Sequence, residues 1–250
     1  MRDFTLSAYQ LLLTTLLKKG YRFLTFEEYL TSSPTGKLVI VRHDVDDLPQ
    51  NSLNTAILEE QLGIKASYYF RIVKQSDHPD VIRAIAKLHH EIGYHYEDLA
   101  LAHGNKTEAI KQFAINLAYF RQYYPVRTIC MHGSPMSSWD NRKIWEEYKY
   151  ADYGIIGEPY FQIDFNKFFY LTDTGRCWNG EKVSVRDKVN SAHKLEFRTT
   201  FDIVAGVETL PEQIMITTHP QRWENKWVPW VKELVLQNAK NQVKRVIVKK

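Results

Sequence analysis

Residues 37–47 read KLVIVRHDVDD, so an apolar run ends directly in a cluster of ionisable side chains. β-Branched residues that follow a Pro-Thr-Gly turn predict a buried strand. Side chains two apart on a strand share a face, so we expect Arg42, Asp44 and Asp46 to point the same way. Two neighbouring carboxylates repel each other unless a positive charge, on Arg42 or on a metal ion, compensates the repulsion. We interpret this junction as part of an active site and not as an acidic turn in solvent.

The chain has 250 residues, of which 44% are hydrophobic and 13% aromatic, enough for one large core. We predict a single domain over residues 1–250, with a helical lead-in at 1–36 and a C-terminal helix at 225–250. The longest apolar stretches are too short for a transmembrane segment. The Leu-rich helix predicted at 6–19 ends in Lys-Lys-Gly, which argues against a signal peptide and for a cytoplasmic protein.

Composition also narrows the function classes. Cys130 and Cys177 are too few and too far apart for a disulfide framework or a cysteine metal site. The net charge of +4 is modest, and no nucleic-acid reading motif accompanies it. We therefore predict no nucleic-acid partner.

Strand and helix patterns alternate along most of the chain, which is typical of a parallel sheet. Seven or eight strands over this length favour a closed or nearly closed barrel. The predicted strands lie at 37–47, 66–71, 92–96, 126–132, 154–157, 168–171, 195–197 and 214–217, and a short strand or extended segment precedes them at 21–25. The main helices are predicted at 51–62, from Pro79, and at 106–123, 141–148 and 227–247.

Polar clusters recur just after the predicted strands, where active sites of such barrels lie. They comprise Asp44 with Asp46, His95 with Glu97 and Asp98, His132 with Ser134, Asp173 with Arg176, and His219 with Arg222. A catalytic divalent metal takes about three protein ligands from His and carboxylates and leaves a place for water. Asp46 and His95 are the first two predicted ligands. The third is Glu97, on the same strand face as His95, or His132, from the next strand end.

The general acid and the general base are predicted from two further residues at strand ends, His219 and Asp44. An imidazole titrates close to operating pH, so His219 at the end of a buried strand suits a general acid. Asp44 is the predicted general base, with Arg42 beside it to keep it ionised.

These residues resemble the polysaccharide deacetylase family of metal-dependent carbohydrate esterases, over roughly residues 38–223. The paired aspartates of the family's first motif match Asp44 and Asp46, which implies a base and a metal ligand. Its second motif, two histidines four apart, is matched only at His95, since position 99 is leucine. Its final strand, which ends in an acid histidine, is similar to the strand before His219. The resemblance implies an α/β fold, a distorted (β/α) barrel of seven or eight mostly parallel strands, TIM-barrel-like.

Two departures from the family pattern leave alternatives open. Without the second histidine, the third ligand is Glu97, His132 or the loop residue His103. The family's third motif supplies an arginine to the base, and Arg42 or Arg176 takes that place here.

The resemblance implies a metal-dependent hydrolase that removes an acetyl group from the nitrogen of an amino sugar, with zinc as the first candidate metal. Its partner would be an amino-sugar-containing small molecule or a polysaccharide precursor. The predicted substrate-binding residues are Ser134, Asp173, Arg176, Trp178 and Arg222. For Trp178 the alternative is packing on the core. Two other functions remain open: hydrolysis of another amide, such as a formyl group or a cyclic ureide, and sugar binding by a barrel that has lost catalysis.

Overall fold

One parallel sheet dominates the computed structural model, which describes residues 1–134, 136–178 and 189–248. Within those residues seven strands join it, in the order β5-β4-β3-β2-β7-β6, with β1 also paired to β2. The strands are β1 (Arg22–Leu24), β2 (Leu38–Val45), β3 (Ser67–Phe70), β4 (Glu91–Tyr96), β5 (Ile129–Met131), β6 (Phe168–Thr172) and β7 (Gln213–Thr218). The sheet curls into a half-barrel, which confirms the predicted α/β class and distorted barrel.

Strand β2 lies at the centre and all eight of its residues are buried. One edge pairs with β7 along residues 38–43. The other edge is shared, because β1 pairs with residues 38–40 and β3 with residues 42–45. Both edges of β2 are therefore hydrogen-bonded, and Asp46 comes just past its end.

The side chains of β2 alternate between the two faces of the sheet. Val39, Val41 and Val45 pack into the larger core cluster under the helices. Leu38 and Ile40 belong to the smaller cluster on the inner face. Arg42 and Asp44 continue that inner series, so the apolar floor of the half-barrel leads directly to the ionisable groups.

Nine α-helices cover the sheet and its ends within the described residues. They are α1 (Leu6–Lys18), α2 (Phe26–Ser32), α3 (Pro49–Gln61), α4 (Pro79–Lys87), α5 (Asp98–Leu101), α6 (Lys106–Phe120), α7 (Pro159–Gln162), α8 (Thr200–Ala205) and α9 (Trp227–Val248). Helix α2 begins at a capping box, in which Thr25 and Glu28 satisfy each other's backbone N–H groups. No described helix has both the length and the apolar character needed to cross a membrane.

Three predicted elements differ from the structure. Residues 154–157 form only an isolated bridge, between Gly157 and Thr128, the residue before β5. Residues 195–197 form no strand. The predicted helix at 141–148 is a 3₁₀ helix, Asn141–Glu146. Each of these segments is short, and apolar runs of that length do not by themselves distinguish strand from irregular packing.

Candidate active site

Asp46 faces three histidines at the carboxyl ends of the strands. Its Oδ1 lies 3.8 Å from Nε2 of His95 and 3.6 Å from Nε2 of His132. Its Oδ2 lies 3.8 Å from Nε2 of His219. Oδ1 is buried and accepts no hydrogen bond from the described part of the chain. NH1 of Arg71 lies 3.9 Å from the same oxygen, so the groups that compensate its charge are all beyond hydrogen-bonding distance.

The spacing around Oδ1 suits a shared cation. Bonds of about 2.1 Å to a tetrahedral ion place its ligands roughly 3.4 Å apart. Burial by itself raises the pKa of Asp46, yet the three facing imidazoles and Arg71 hold that pKa well below its usual range. Asp46 is therefore an anion in surroundings that favour negative charge.

Both candidate ligand histidines have the tautomer that metal binding needs. Nδ1 of His95 lies 2.9 Å from the carbonyl oxygen of Cys130, and Nδ1 of His132 lies 2.9 Å from Oε2 of Glu97. A carbonyl or an ionised carboxylate only accepts, so each Nδ1 carries the proton and each Nε2 keeps its lone pair. Burial also lowers the pKa of His95, which favours its neutral form.

Glu97 contacts His132 at Nδ1, the ring nitrogen that does not face Asp46. Its two oxygens accept from Nε and NH2 of Arg71 at 2.8 and 2.9 Å. Burial raises the pKa of Glu97, but its bonds to His132 and Arg71 outweigh that effect and lower the pKa to about 2. Of the open alternatives for the third ligand, the geometry favours His132. His103 is exposed, in a left-handed turn.

Arg42 and Asp44 form a buried bidentate salt bridge on the inner face of β2. Nε and NH2 of Arg42 donate to Oδ1 and Oδ2 of Asp44 at 2.9 and 2.7 Å. Oδ2 of Asp44 also lies 3.8 Å from Nε2 of His95, so Asp44 borders the Asp46 cluster. The guanidinium of Arg42 stacks over the ring of Tyr160 at 5.1 Å, which fixes its direction. Of the two arginines considered for Asp44, the structure pairs it with Arg42.

His219 is held by Asp173, which follows β6. Nδ1 of His219 donates to Oδ1 of Asp173 at 2.5 Å, and the backbone N–H of His219 donates to Oδ2 at 2.9 Å. Arg222 and Trp223 donate to the same carboxylate at 2.5 and 2.8 Å. Although burial raises the pKa of Asp173, Arg222 and His219 keep it below its usual range. Nε2 of His219 is thereby left to face the cluster.

The structure places the predicted substrate-binding residues in several different environments. Trp178 is 5% exposed, and its ring packs against Phe4 and Trp223 while Nε1 donates to Thr200. It occupies the core, the alternative considered from the sequence, because burying an indole whose N–H finds an acceptor is favourable.

The other members of that set lie in three different places. Arg176 lies over the ring of Trp230 at 4.5 Å, on α9. Asp173 and Arg222 are buried around His219 and orient it. Ser134 borders the Asp46 cluster, where its Oγ is 3.1 Å from Nδ1 of His132.

Sequence reasoning missed a second polar network on the opposite face of β2. Nε2 of His43 bonds to the buried Glu59 of α3 at 2.7 Å, and Nδ1 meets Oγ1 of Thr218 at 2.7 Å. Tyr9 and Tyr68 donate to the same glutamate. The sequence does indicate the position of His43. It lies between Arg42 and Asp44, and the alternation of side chains along a strand places it on the outer face. Arg71 was also missed, because nothing local to β3 indicates its partner.

No family model matches the sequence, and no curated protein sequence matches it. Among solved structures it is similar to a pseudoenzyme of carbohydrate esterase family CE4 from Bacillus anthracis, at 14% identity and a TM-score of 0.45, over 84% of this chain and 62% of that one. It is also similar to a family 4 carbohydrate esterase from Streptomyces lividans in complex with acetate, at 15% identity and a TM-score of 0.42, over 84% and 90%.

A third similar structure is the peptidoglycan deacetylase PdaC from Bacillus subtilis, at 11% identity and a TM-score of 0.40, over 85% of this chain and 98% of that one. The chain spans just under two thirds of the length of the first structures it matches. Of these three structures, two are named as a carbohydrate esterase and a deacetylase, and one is named as a pseudoenzyme.

Proposed function

We propose that this chain is a metal-dependent hydrolase that removes an acetyl group from the nitrogen of an amino sugar. The observation that carries the proposal is the buried Oδ1 of Asp46, which lacks a hydrogen-bond donor among the described residues while two imidazole Nε2 atoms face it. A carboxylate and two neutral imidazoles form a ligand set typical of catalytic zinc.

Asp46, His95 and His132 would hold the metal, with zinc as the first candidate. When bound, a divalent ion polarises the substrate carbonyl and lowers the pKa of water towards about 7. Glu97 and Arg71 support His132, as carboxylates behind metal-binding histidines commonly do. The residues present therefore fit such an ion.

Asp44 is the proposed base. It takes a proton from the water that attacks the amide carbonyl, and Arg42 holds its carboxylate in one orientation by two hydrogen bonds. The bridge is rigid because both residues are on the same strand and both are buried. A base fixed in this way needs little reorganisation as the proton moves.

His219 is the proposed acid. Its Nδ1–H is held by Asp173, so the exchangeable proton is carried on Nε2, which faces the cluster. That proton goes to the amide nitrogen as the C–N bond breaks, while Asp173 keeps the ring in the orientation that the transfer needs. The products are the carboxylic acid and the free amine of the sugar.

The amino-sugar substrate, in a small molecule or a polysaccharide precursor, rests on the sequence resemblance. The two features that favoured a barrel without catalysis were Leu99 and the missing arginine. His132 and Arg42 lie where they can supply both missing groups, which favours the hydrolase.

The test is metal content together with acetate release from a panel of N-acetylated amino sugars. We expect near-stoichiometric metal and turnover in the wild type, and loss of both in Asp46→Ala and His132→Ala. His103→Ala, which alters an exposed histidine of the neighbouring loop, is the matched control and should keep both. Turnover that survives in Asp46→Ala would refute the mechanism.

A further inference from the structure

The outward face of helix α9 is apolar, although this face of a surface helix is usually polar. Val228, Val235 and Val243 are between 55% and 75% exposed, and Leu236 is exposed as well. Val228 and Val235 are seven residues apart, as are Leu236 and Val243. Seven residues are nearly two helical turns, so these four side chains form one continuous region, which we call the apolar stripe.

The inward face of α9 is attached to the body by polar groups. Gln237 and Asn241 are only 4% and 8% exposed. Nε2 of Gln237 donates to Oδ1 of Asn241 at 2.7 Å, and Nδ2 of Asn241 donates to the carbonyl oxygen of Gly175 at 2.8 Å. Nε1 of Trp230 donates to the carbonyl oxygen of Asp3 at 2.8 Å. These bonds fix which face of the helix turns outward, so the apolar stripe is left uncovered by the described part of the chain. Exposed apolar regions of this kind mark interaction surfaces.

Positive charge accompanies the apolar stripe. Residues 226–250 contain seven basic residues and one acidic residue, whereas the whole chain has a net charge of only +4. Lys232 is four residues from both Val228 and Leu236, and Lys240 is four residues after Leu236, so both lysines adjoin the stripe on the helix surface. Both lysines are exposed. A partner that covers the stripe therefore also meets positive charge.

The acidic residue and the tryptophan of this segment support the same arrangement. Glu233 is half-buried and interacts with the charge of the buried Arg222, so it is directed partly towards the body. Trp227 is exposed, and its ring lies between Trp230, at 5.7 Å, and the guanidinium of Arg2, at 4.6 Å. An exposed indole beside a cation suits the boundary between apolar chains and polar head groups.

We propose that α9 binds flat on an anionic lipid surface. The apolar stripe would enter the outer part of the acyl layer, and Lys232 and Lys240 would meet the head groups. An apolar face bordered by lysines, with a tryptophan at one end, is typical of helices that lie in the plane of a bilayer surface. The carbon chains of the lysines can cover apolar surface while their ammonium groups reach the phosphates. This inference does not depend on the proposed hydrolase activity.

A second copy of this chain fits the apolar stripe less well than lipid does. A two-fold dimer through this face would bring the outward side of α9 against itself. Lys232 would then approach positive groups of the other copy, and like charges across an interface are costly. A nucleic acid would pair with the lysines but would leave the valines uncovered. An anionic bilayer satisfies both the charge and the apolar surface.

The test is co-sedimentation of the full chain with vesicles of phosphatidylcholine alone and with vesicles of phosphatidylcholine and phosphatidylserine in equal parts. We expect binding to the anionic vesicles only. Raising the ionic strength from about 0.1 M to 1 M shortens the Debye length from about 10 Å to about 3 Å and should release most of the protein. Equal binding to both kinds of vesicle, or binding to neither, overturns the proposal.

Two double variants separate charge from apolar contact. Lys232→Glu with Lys240→Glu should weaken binding to the anionic vesicles by at least about 25-fold, because each lysine near such a surface contributes about fivefold. Val228→Ser with Val235→Ser should weaken it about tenfold or more. All four side chains are exposed, so both variants should fold, and circular dichroism checks this.

Matched controls and a size measurement complete the test. Lys111→Glu and Ile115→Ser alter exposed residues of α6 and should bind the anionic vesicles as the wild type does. Affinity that is unchanged in both double variants of α9 overturns the proposal. Analytical ultracentrifugation without lipid gives the oligomeric state. A dimer that Val228→Ser with Val235→Ser converts to a monomer also overturns it, since the apolar stripe would then be a contact between copies.

Discussion

Replacing Glu97 by glutamine tests whether the carboxylate of Glu97 fixes the orientation and tautomer of the proposed metal ligand His132. Oε2 of Glu97 accepts from Nδ1 of His132 at 2.9 Å, and both oxygens pair with Arg71. Glutamine keeps the shape but loses the charge, and its NH₂ group must face a donor in either orientation. His132 then loses its charged partner, and its ring is free to change tautomer.

The expected effect follows from that one contact. A hydrogen bond to a charged group contributes about 1.5–3 kcal/mol, and each 1.4 kcal/mol is tenfold in affinity. We therefore expect Glu97→Gln to bind zinc about 10–100-fold more weakly. Loss of a carboxylate that bonds to a metal-binding histidine typically lowers metal affinity by this factor. Competition against a chromophoric chelator at pH 7 measures the change. Glu60→Gln, on the exposed side of α3, is the control, and equal affinity in both variants would refute the assigned role of Glu97.

The same variant has a signature in the metal-free protein. The pKa of Glu97 falls from an ordinary 4.5 to about 2, which corresponds to about 3 kcal/mol. Because the folded pKa is depressed, this stabilisation is present above about pH 4.5 and is lost as the pH falls towards 2. Urea unfolding between pH 5 and 3 should show a steeper loss in the wild type than in Glu97→Gln.

Three further perturbations test other parts of the site. Asp173→Asn should lower turnover by about 10²–10⁴-fold at unchanged metal content, since His219 loses the partner that orients it. Steady-state kinetics and metal analysis measure both quantities, and a normal rate of acetate release would contradict this role of Asp173. Arg42→Met leaves Asp44 buried without its cation and should lower the free energy of unfolding by about 3–5 kcal/mol. Urea unfolding measures this loss, and an unchanged free energy would contradict the prediction. Burial raises the pKa of Asp98 to about 7, so wild-type stability should decline between about pH 4 and 7, by up to about 4 kcal/mol, and unfolding of Asp98→Asn should lack that slope.

The sequence predicted the parts of the site that belong to regular strands. The apolar run of β2 and the ionisable residues after it define a buried strand with a polar end, and alternation places Arg42 and Asp44 on one face. The short strand before His219 is similarly bounded. Such features are local, so periodicity alone locates them.

The third ligand could not be chosen from the sequence, for a physical reason. Alternation along β4 suggested that Glu97 shares a face with His95. The backbone leaves the extended conformation at Glu97, where ψ is 23°, so alternation no longer applies there. His132 is placed by the pairing of β5 beside β4, a non-local choice that depends on the whole sheet. The sequence could not choose between substrate binding and core packing for Trp178 for a related reason, since its neighbours Phe4 and Trp223 are distant in sequence.

The proposed acid and base are positioned differently from Asp46 and His132, two of the proposed metal ligands, and this accounts for where the sequence departs from the motif pattern that it resembles. His43 of β2 is in register with Thr218 of β7, and the two also bond through their side chains. Asp44 is the next residue of β2 and His219 is the first residue after β7, so backbone pairing up to that point fixes the relation of the proposed base to the proposed acid. Asp46 and His132 lie just beyond strand ends, where a ligand can come from another segment without disturbing that pair. A histidine at 132 can therefore stand in for one at position 99, whereas moving Asp44 or His219 would require a shift of the central strands.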